Sequence, residues 1–127
     1  MIRAVVLSAA ASLIHMLMTP VYFDQWLGYG AFFFSVSFAQ LLYATALAVS
    51  PTTRFELWAG IIGNGAIIVL WLVTRTLGIP LFGPEAGQVQ PVGLPDLLAT
   101  AIELALIAHL VALLPRVPEL KRQPLVE

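Results

Sequence analysis

The sequence predicts an all-α protein, an antiparallel four-helix transmembrane bundle, and three observations carry that reading. The 127 residues are 60% hydrophobic and 10% charged, with a mean hydropathy of +0.93, whereas a soluble domain carries about 25% charged residues. The apolar residues gather into four stretches, 2–19, 28–49, 56–78 and 94–114, each close to the ~20 residues that cross a ~30 Å hydrocarbon layer as a helix. The segments between them, 20–27, 50–54 and 79–93, carry Pro or Gly and turn the chain rather than continue a helix. Residues 1–116 therefore read as one transmembrane domain. The charged stretch 117–127, with Pro118 and Pro124, reads as a short, loosely ordered cytoplasmic tail.

The first stretch opens on Arg3, as a secretory leader would. The apolar run ahead of the small residues at 8–12 is only 4–7, however, and Leu17-Met18-Thr19-Pro20 is a poor cleavage site, so it reads as a retained helix. Side chains spaced i, i+3, i+4 and i+7 share one helical face. That spacing aligns Ser8, Ser12, His15 and Thr19 on the first helix, and Ser37 with Gln40 on the second. On the third it aligns Asn64, Trp71 and Arg75. Gly60-Ile61-Ile62-Gly63-Asn64-Gly65 lies inside this apolar helix and follows no strand, so its glycines predict close helix packing rather than a phosphate loop. Segment 78–93 combines apolar side chains, turn residues and Glu85; it suits a lid over the bundle or, more simply, a cap on the helix ends. The fourth helix aligns Asp96, Thr100 and Glu103.

All four polar faces are expected to turn inward, because an ionised side chain at a helix centre costs at least ~2.5–3.5 kcal/mol on insertion scales. Arg75 is expected to meet a carboxylate of the following helix, Asp96 or Glu103. At a rise of ~1.5 Å per residue, His15, Arg75 and Asp96 fall within ~6 Å of one boundary, Glu103 near ~12 Å, and Gln40 and Asn64 near ~18–21 Å. This predicts a pocket with charge at its mouth and neutral amides at depth.

Arg3, Arg54, Arg116, Lys121 and Arg122 fall on the side of the termini, and Arg75 alone near the other. The positive-inside rule then places both termini in the cytoplasm and the polar mouth outside. Tyr22, Trp26, Tyr29 and Trp58 lie near helix ends, where aromatic residues suit the membrane–water interface.

Several chemistries are disfavoured. A net charge of −1 offers no basic surface for nucleic acid. The absence of cysteine removes disulfides, thiolate catalysis and iron–sulfur clusters. His15 and His109 lie toward opposite ends of the bundle, so one cofactor gripped by both is not expected, and His109 sits about 120° off the Glu103 stripe. His15, Asp24, Asp96 and Glu103 are all within reach of one mouth, but no dense metal-ligand motif joins them. No nucleophile–base–acid set is readable, and neither a cofactor nor a resident metal is expected.

His15 followed by Pro20, Asp24 and Trp26, then Gln40, then Trp71-Leu-Val-Thr-Arg-Thr-Leu-Gly-Ile-Pro80 with Phe82-Gly-Pro-Glu85, and finally Asp96 and Glu103 form a pattern covering most of the membrane part. In that pattern the chain resembles a family of small four-helix bacterial integral membrane proteins. Members commonly carry a second histidine just after the proline, where this chain has Tyr22. The family has no established activity, so the resemblance implies a fold and a bacterial inner-membrane location rather than a reaction.

The leading expectation is a non-enzymatic membrane protein that binds a small ligand or ion, or serves as an accessory subunit of a membrane assembly. Its candidate residues are His15, Gln40, Asn64, Trp71, Arg75, Asp96 and Glu103. The alternative is a proton- or cation-coupled transporter working as a homo-oligomer, with Glu103 exchanging the proton. A metal-dependent membrane enzyme built at His15 stands third. The partners these readings allow are the lipid bilayer, further copies of the chain or a larger membrane complex.

Overall fold

The computed structural model describes residues 1–118. These form four α-helices, α1 (Ile2–Gln25), α2 (Leu27–Val49), α3 (Arg54–Thr76) and α4 (Leu94–Leu113), with a 3₁₀ turn at Leu114–Arg116 after the last. All four helices are long and apolar enough to cross a membrane. They run antiparallel. The chain start, the α2–α3 turn and the 3₁₀ turn lie at one end of the bundle, the terminal end; the α1–α2 turn and segment 77–93 lie at the other, the loop end. Most of the predicted tail, residues 119–127 with Lys121 and Arg122, lies outside the described residues.

The first helix corrects the sequence expectation. It runs through Pro20 to Gln25 instead of stopping at 19, so the expected loop 20–27 shrinks to Trp26, a single extended residue between α1 and α2. Proline removes one backbone donor, but helices in lipid tolerate it where side-chain hydroxyls and neighbouring helices satisfy the freed groups. Beside it, Thr19 Oγ1 donates to His15 O at 2.8 Å. The continuation carries Tyr22 onto the stripe of His15, seven residues on.

The other ends follow local rules. At the start of α3, Thr53 and Glu56 form a capping box, each side chain bonded to the other's backbone N–H. The helix therefore starts at Arg54, two residues ahead of the expected 56. It stops at Thr76 because Gly78 turns left-handed at φ 74, and Leu77 N and Gly78 N both donate to Val73 O. On α4, Asp96 accepts from Gly93 N at 3.2 Å, with Pro95 in the first turn.

Helix α1 packs on α2 and α4, and α3 packs on α4. The α1–α2 pair is joined by small hydroxyl residues. Ser8 Oγ donates to Gln40 O (2.8 Å), Ser12 Oγ to Ser37 O (2.8 Å) and Ser37 Oγ to Ser12 O (2.9 Å). Such short side chains let two backbones approach closely and supply polar contacts where lipid supplies none. Between α2 and α3 the bridging side chains are long: Gln40 reaches Asn64, and Tyr43 Oη donates to Glu56 O at 3.0 Å. Gly60 makes room for Tyr43, since a Cβ there would collide with the Tyr43 ring and with Leu110. The close-packing expectation thus holds at Gly60 only; Gly63 and Gly65 face open space. Ala4, Leu47, Leu57, Leu106 and Leu110 form the apolar core and fill the terminal half of the bundle.

Candidate functional site

Above that apolar core lies one connected polar layer to which all four helices contribute. His15 Nδ1 bonds Gln40 Oε1 at 2.9 Å, and Gln40 Nε2 donates to Glu103 Oε1 at 2.8 Å and to Asn64 Oδ1 at 3.2 Å. Asn64 Nδ2 in turn donates to Gly60 O at 2.8 Å. His15 Nε2 stands 4.0 Å from Glu103 Oε1. Each of these four side chains is buried, Glu103 to 1% exposure.

The depth expectation is corrected here. His15 was expected near the mouth and the amides far below it, yet they touch. Because α1 extends to Gln25, His15 lies ten residues from the loop end of its helix, or ~15 Å. Gln40, Asn64 and Glu103 lie at ~13–20 Å from theirs by the same count, so the four share a layer near the middle of a ~30 Å hydrocarbon slab.

Nearer the loop end, Arg75 Nη2 donates to Asp96 Oδ2 at 2.6 Å and Arg75 Nη1 to Thr74 Oγ1 at 2.9 Å. Of the two carboxylates expected to meet Arg75, it is Asp96 that does so. Glu103 lies seven residues, ~10 Å, farther along α4. Asp96 Oδ2 takes both the guanidinium and the Gly93 N–H, so one carboxylate neutralises Arg75 and complements the positive end of α4. Arg75 Nε and Trp71 Nε1 are buried without a hydrogen-bond partner.

Between this rim and the polar layer is a cavity of about 380 Å³, within the ~300–1,000 Å³ range of small-molecule sites. Ile14, Met18, Phe32, Phe33, Ile67 and Leu70 give it apolar walls, and His15 and Glu103 form its floor. Tyr22 stacks on Phe33 with ring centroids 3.7 Å apart and lines the same space.

The loop 77–93 folds over part of the top. Tyr29 Oη donates to Phe82 O at 2.9 Å and accepts from Glu85 N at 3.3 Å. Phe82 meets the Trp26 ring edge-on at 5.1 Å, and Gly87 N and Gln90 N bond back to Ile79 O and Thr74 O. Gly83, at φ 79, lies so close to the Tyr29 and Trp26 rings that a Cβ would not fit. Rather than only capping helix ends, the loop folds across the mouth and places Ile79, Phe82, Glu85, Gln88 and Gln90 in the cavity wall.

Of the seven candidate residues, His15, Trp71, Arg75, Asp96 and Glu103 line the cavity; Gln40 and Asn64 sit behind the floor and hold it. Asp24 is exposed and His109 lies outside the cavity lining. His15, Asp96 and Glu103 share the cavity lining while Asp24 stays outside it, and no group of three or more His, Asp or Glu suited to a metal occurs among the described residues. Sequence reasoning missed Tyr22, Tyr29, Phe32 and Phe33 as cavity residues. The signal for Tyr22 was present, since it lies seven residues beyond His15, but it was masked by taking Pro20 as a helix stop. Comparison with family models, curated proteins and solved structures gives no match, so the functional reading rests on the geometry of this site.

Proposed function

We propose that this chain is a multi-pass protein of the bacterial inner membrane that binds a small ligand in the cavity at the loop end of its bundle. The observation that carries this reading is a cavity of about 380 Å³ with apolar walls and a polar floor, set among four membrane-length helices. A void that size between helices would otherwise forfeit packing contacts along its whole lining. The apolar core beneath the floor, Leu57, Leu106 and Leu110 with Ala4 and Leu47, favours binding over passage, because it offers no polar route through the terminal half. The five basic residues on the side of the termini support cytoplasmic termini and an outward-facing mouth.

Native mass spectrometry from mild detergent tests the proposal. Wild type is expected to release a bound small molecule that Ala99→Phe does not carry, since Ala99 is a small, buried residue of the cavity wall. Detection of both proteins only at their own ligand-free masses would overturn it. One observation favours a second reading, a proton- or cation-coupled transporter acting as a homo-oligomer: two titratable side chains, His15 and Glu103, form the cavity floor. Proteoliposome flux that ignores pH and survives Glu103→Gln would remove that reading.

A further inference from the structure

We infer that the cavity takes an amphipathic organic ammonium, a compact apolar or aromatic body bearing a primary or secondary amine whose N–H groups bridge His15 Nε2 and Glu103. The inference rests on the ligand-binding reading and names the class of ligand.

Hydrogen-bond accounting on the floor comes first. Asn64 commits its nitrogen to Gly60 O, so its oxygen accepts from Gln40. Gln40 thereby spends its amide hydrogens on Asn64 and Glu103 and presents its oxygen to His15. The network thus assigns the His15 Nδ1 atom as the N–H donor, and in a neutral ring the other nitrogen, Nε2, is a bare acceptor. It stands 4.0 Å from Glu103 Oε1, too far for a direct hydrogen bond. Two acceptors side by side in a cavity floor call for a donor between them, and a ligand nitrogen seated there would lie ~3 Å from each.

Charge points the same way. The cavity lining holds three carboxylates, Glu85, Asp96 and Glu103, against one guanidinium, Arg75. Asp96 already neutralises Arg75, so the free Arg75 Nε and Trp71 Nε1 donors offer hydrogen bonds without surplus positive charge, whereas Glu85 and Glu103 are carboxyl groups left over once Arg75 and Asp96 are matched. The walls add ring faces: Tyr22 stacked on Phe33, with Phe32 and Trp71 beside them. Aromatic faces attract cations, more strongly in a desolvated site, and they accommodate a flat apolar body.

The test uses the full chain in nanodiscs of zwitterionic lipid and four naphthalene probes: 1-naphthylmethylamine, its N,N,N-trimethyl analogue, 1-naphthylmethanol and 1-naphthylacetate. Binding is read by probe fluorescence anisotropy. The amine is expected to bind at least tenfold more tightly than each of the others. Glu103→Gln is expected to cost the amine at least tenfold while leaving the alcohol little changed, and Ala99→Phe to abolish binding. The wild-type series ranks the four probes without Glu103→Gln, so a fold defect in that variant would not hide the answer. Alcohol or acetate binding as tight as the amine, and lost in Ala99→Phe, would overturn the ammonium class while leaving the cavity a ligand site. Equal binding of the trimethyl analogue would overturn the N–H bridge. If no probe binds wild type better than Ala99→Phe, the inference fails, and the mass-spectrometric comparison decides separately whether the cavity holds any ligand.

Discussion

Replacing Gln40 with Leu removes a side chain that bonds to three other helices. Its amide bonds His15 on α1, Asn64 on α3 and Glu103 on α4, and it is 4% exposed, so no water replaces what is lost. Interhelical polar contacts in membranes average about 0.6 kcal/mol and reach about 1.7 kcal/mol. Taking the two neutral bonds at the average and the bond to the Glu103 carboxyl at the upper end gives a loss of about 3 kcal/mol. Leucine is close in size, which keeps the cavity term small. The assay is reversible unfolding in mixed micelles followed by tryptophan fluorescence, with Ala39→Leu, an exposed position on the same helix, as the neutral control. A double-mutant cycle with Glu103→Leu should return a coupling of about 1 kcal/mol or more, since the two residues share a bond and a network. A loss from Gln40→Leu of no more than about 0.6 kcal/mol, one ordinary contact, would refute the claim that this layer holds the four helices in register.

Two further perturbations follow from the rim and the roof. Arg75→Leu strands Asp96, whose side chain is only 13% exposed. It should cost about 2–3 kcal/mol in the same unfolding assay, below the ~3–5 kcal/mol of a fully buried pair because both groups keep some access to water. Adding Asp96→Asn should restore at least half of that loss, because the amide carries no charge to strand and keeps an oxygen for Gly93 N; no recovery would mean that packing rather than charge is what Arg75 supplies. Tyr29→Phe removes the donor to Phe82 O and the acceptor for Glu85 N. Losing about 1 kcal/mol of loop fastening should speed amide exchange at Glu85 about fivefold, and unchanged protection there would show that the ring contacts of Trp26 and Phe82 hold the loop by themselves.

Much of the site was readable as faces. Ser8, Ser12, His15, Thr19, Ser37, Gln40, Asn64 and Glu103 are all buried, as the spacing on each helix predicts, because lipid on one side and protein on the other leaves a polar side chain only one inexpensive direction. Relative depth was not readable from the same residues. It depends on where each helix ends, and the terminus of α1 was hidden by Pro20, a stop signal in water that lipid tolerates. The choice of Asp96 over Glu103 as the partner of Arg75 depends on the register of α3 against α4, which no single-helix pattern contains.

What the sequence determined alone is therefore the class of solvent, the number of membrane-length helices and the face each turns inward, since all three follow from how many apolar residues occur in a row and with what period. Tertiary structure decided which polar groups meet. It joined His15, Gln40, Asn64 and Glu103 into one layer, closed Arg75 on Asp96, and laid the loop 77–93 across the mouth of the cavity. Those outcomes depend on differences of one helical turn between neighbouring helices. Such differences come from where Ser12 and Ser37 let backbones approach and where Gly60 admits the Tyr43 ring, a property of pairs of helices rather than of any one of them.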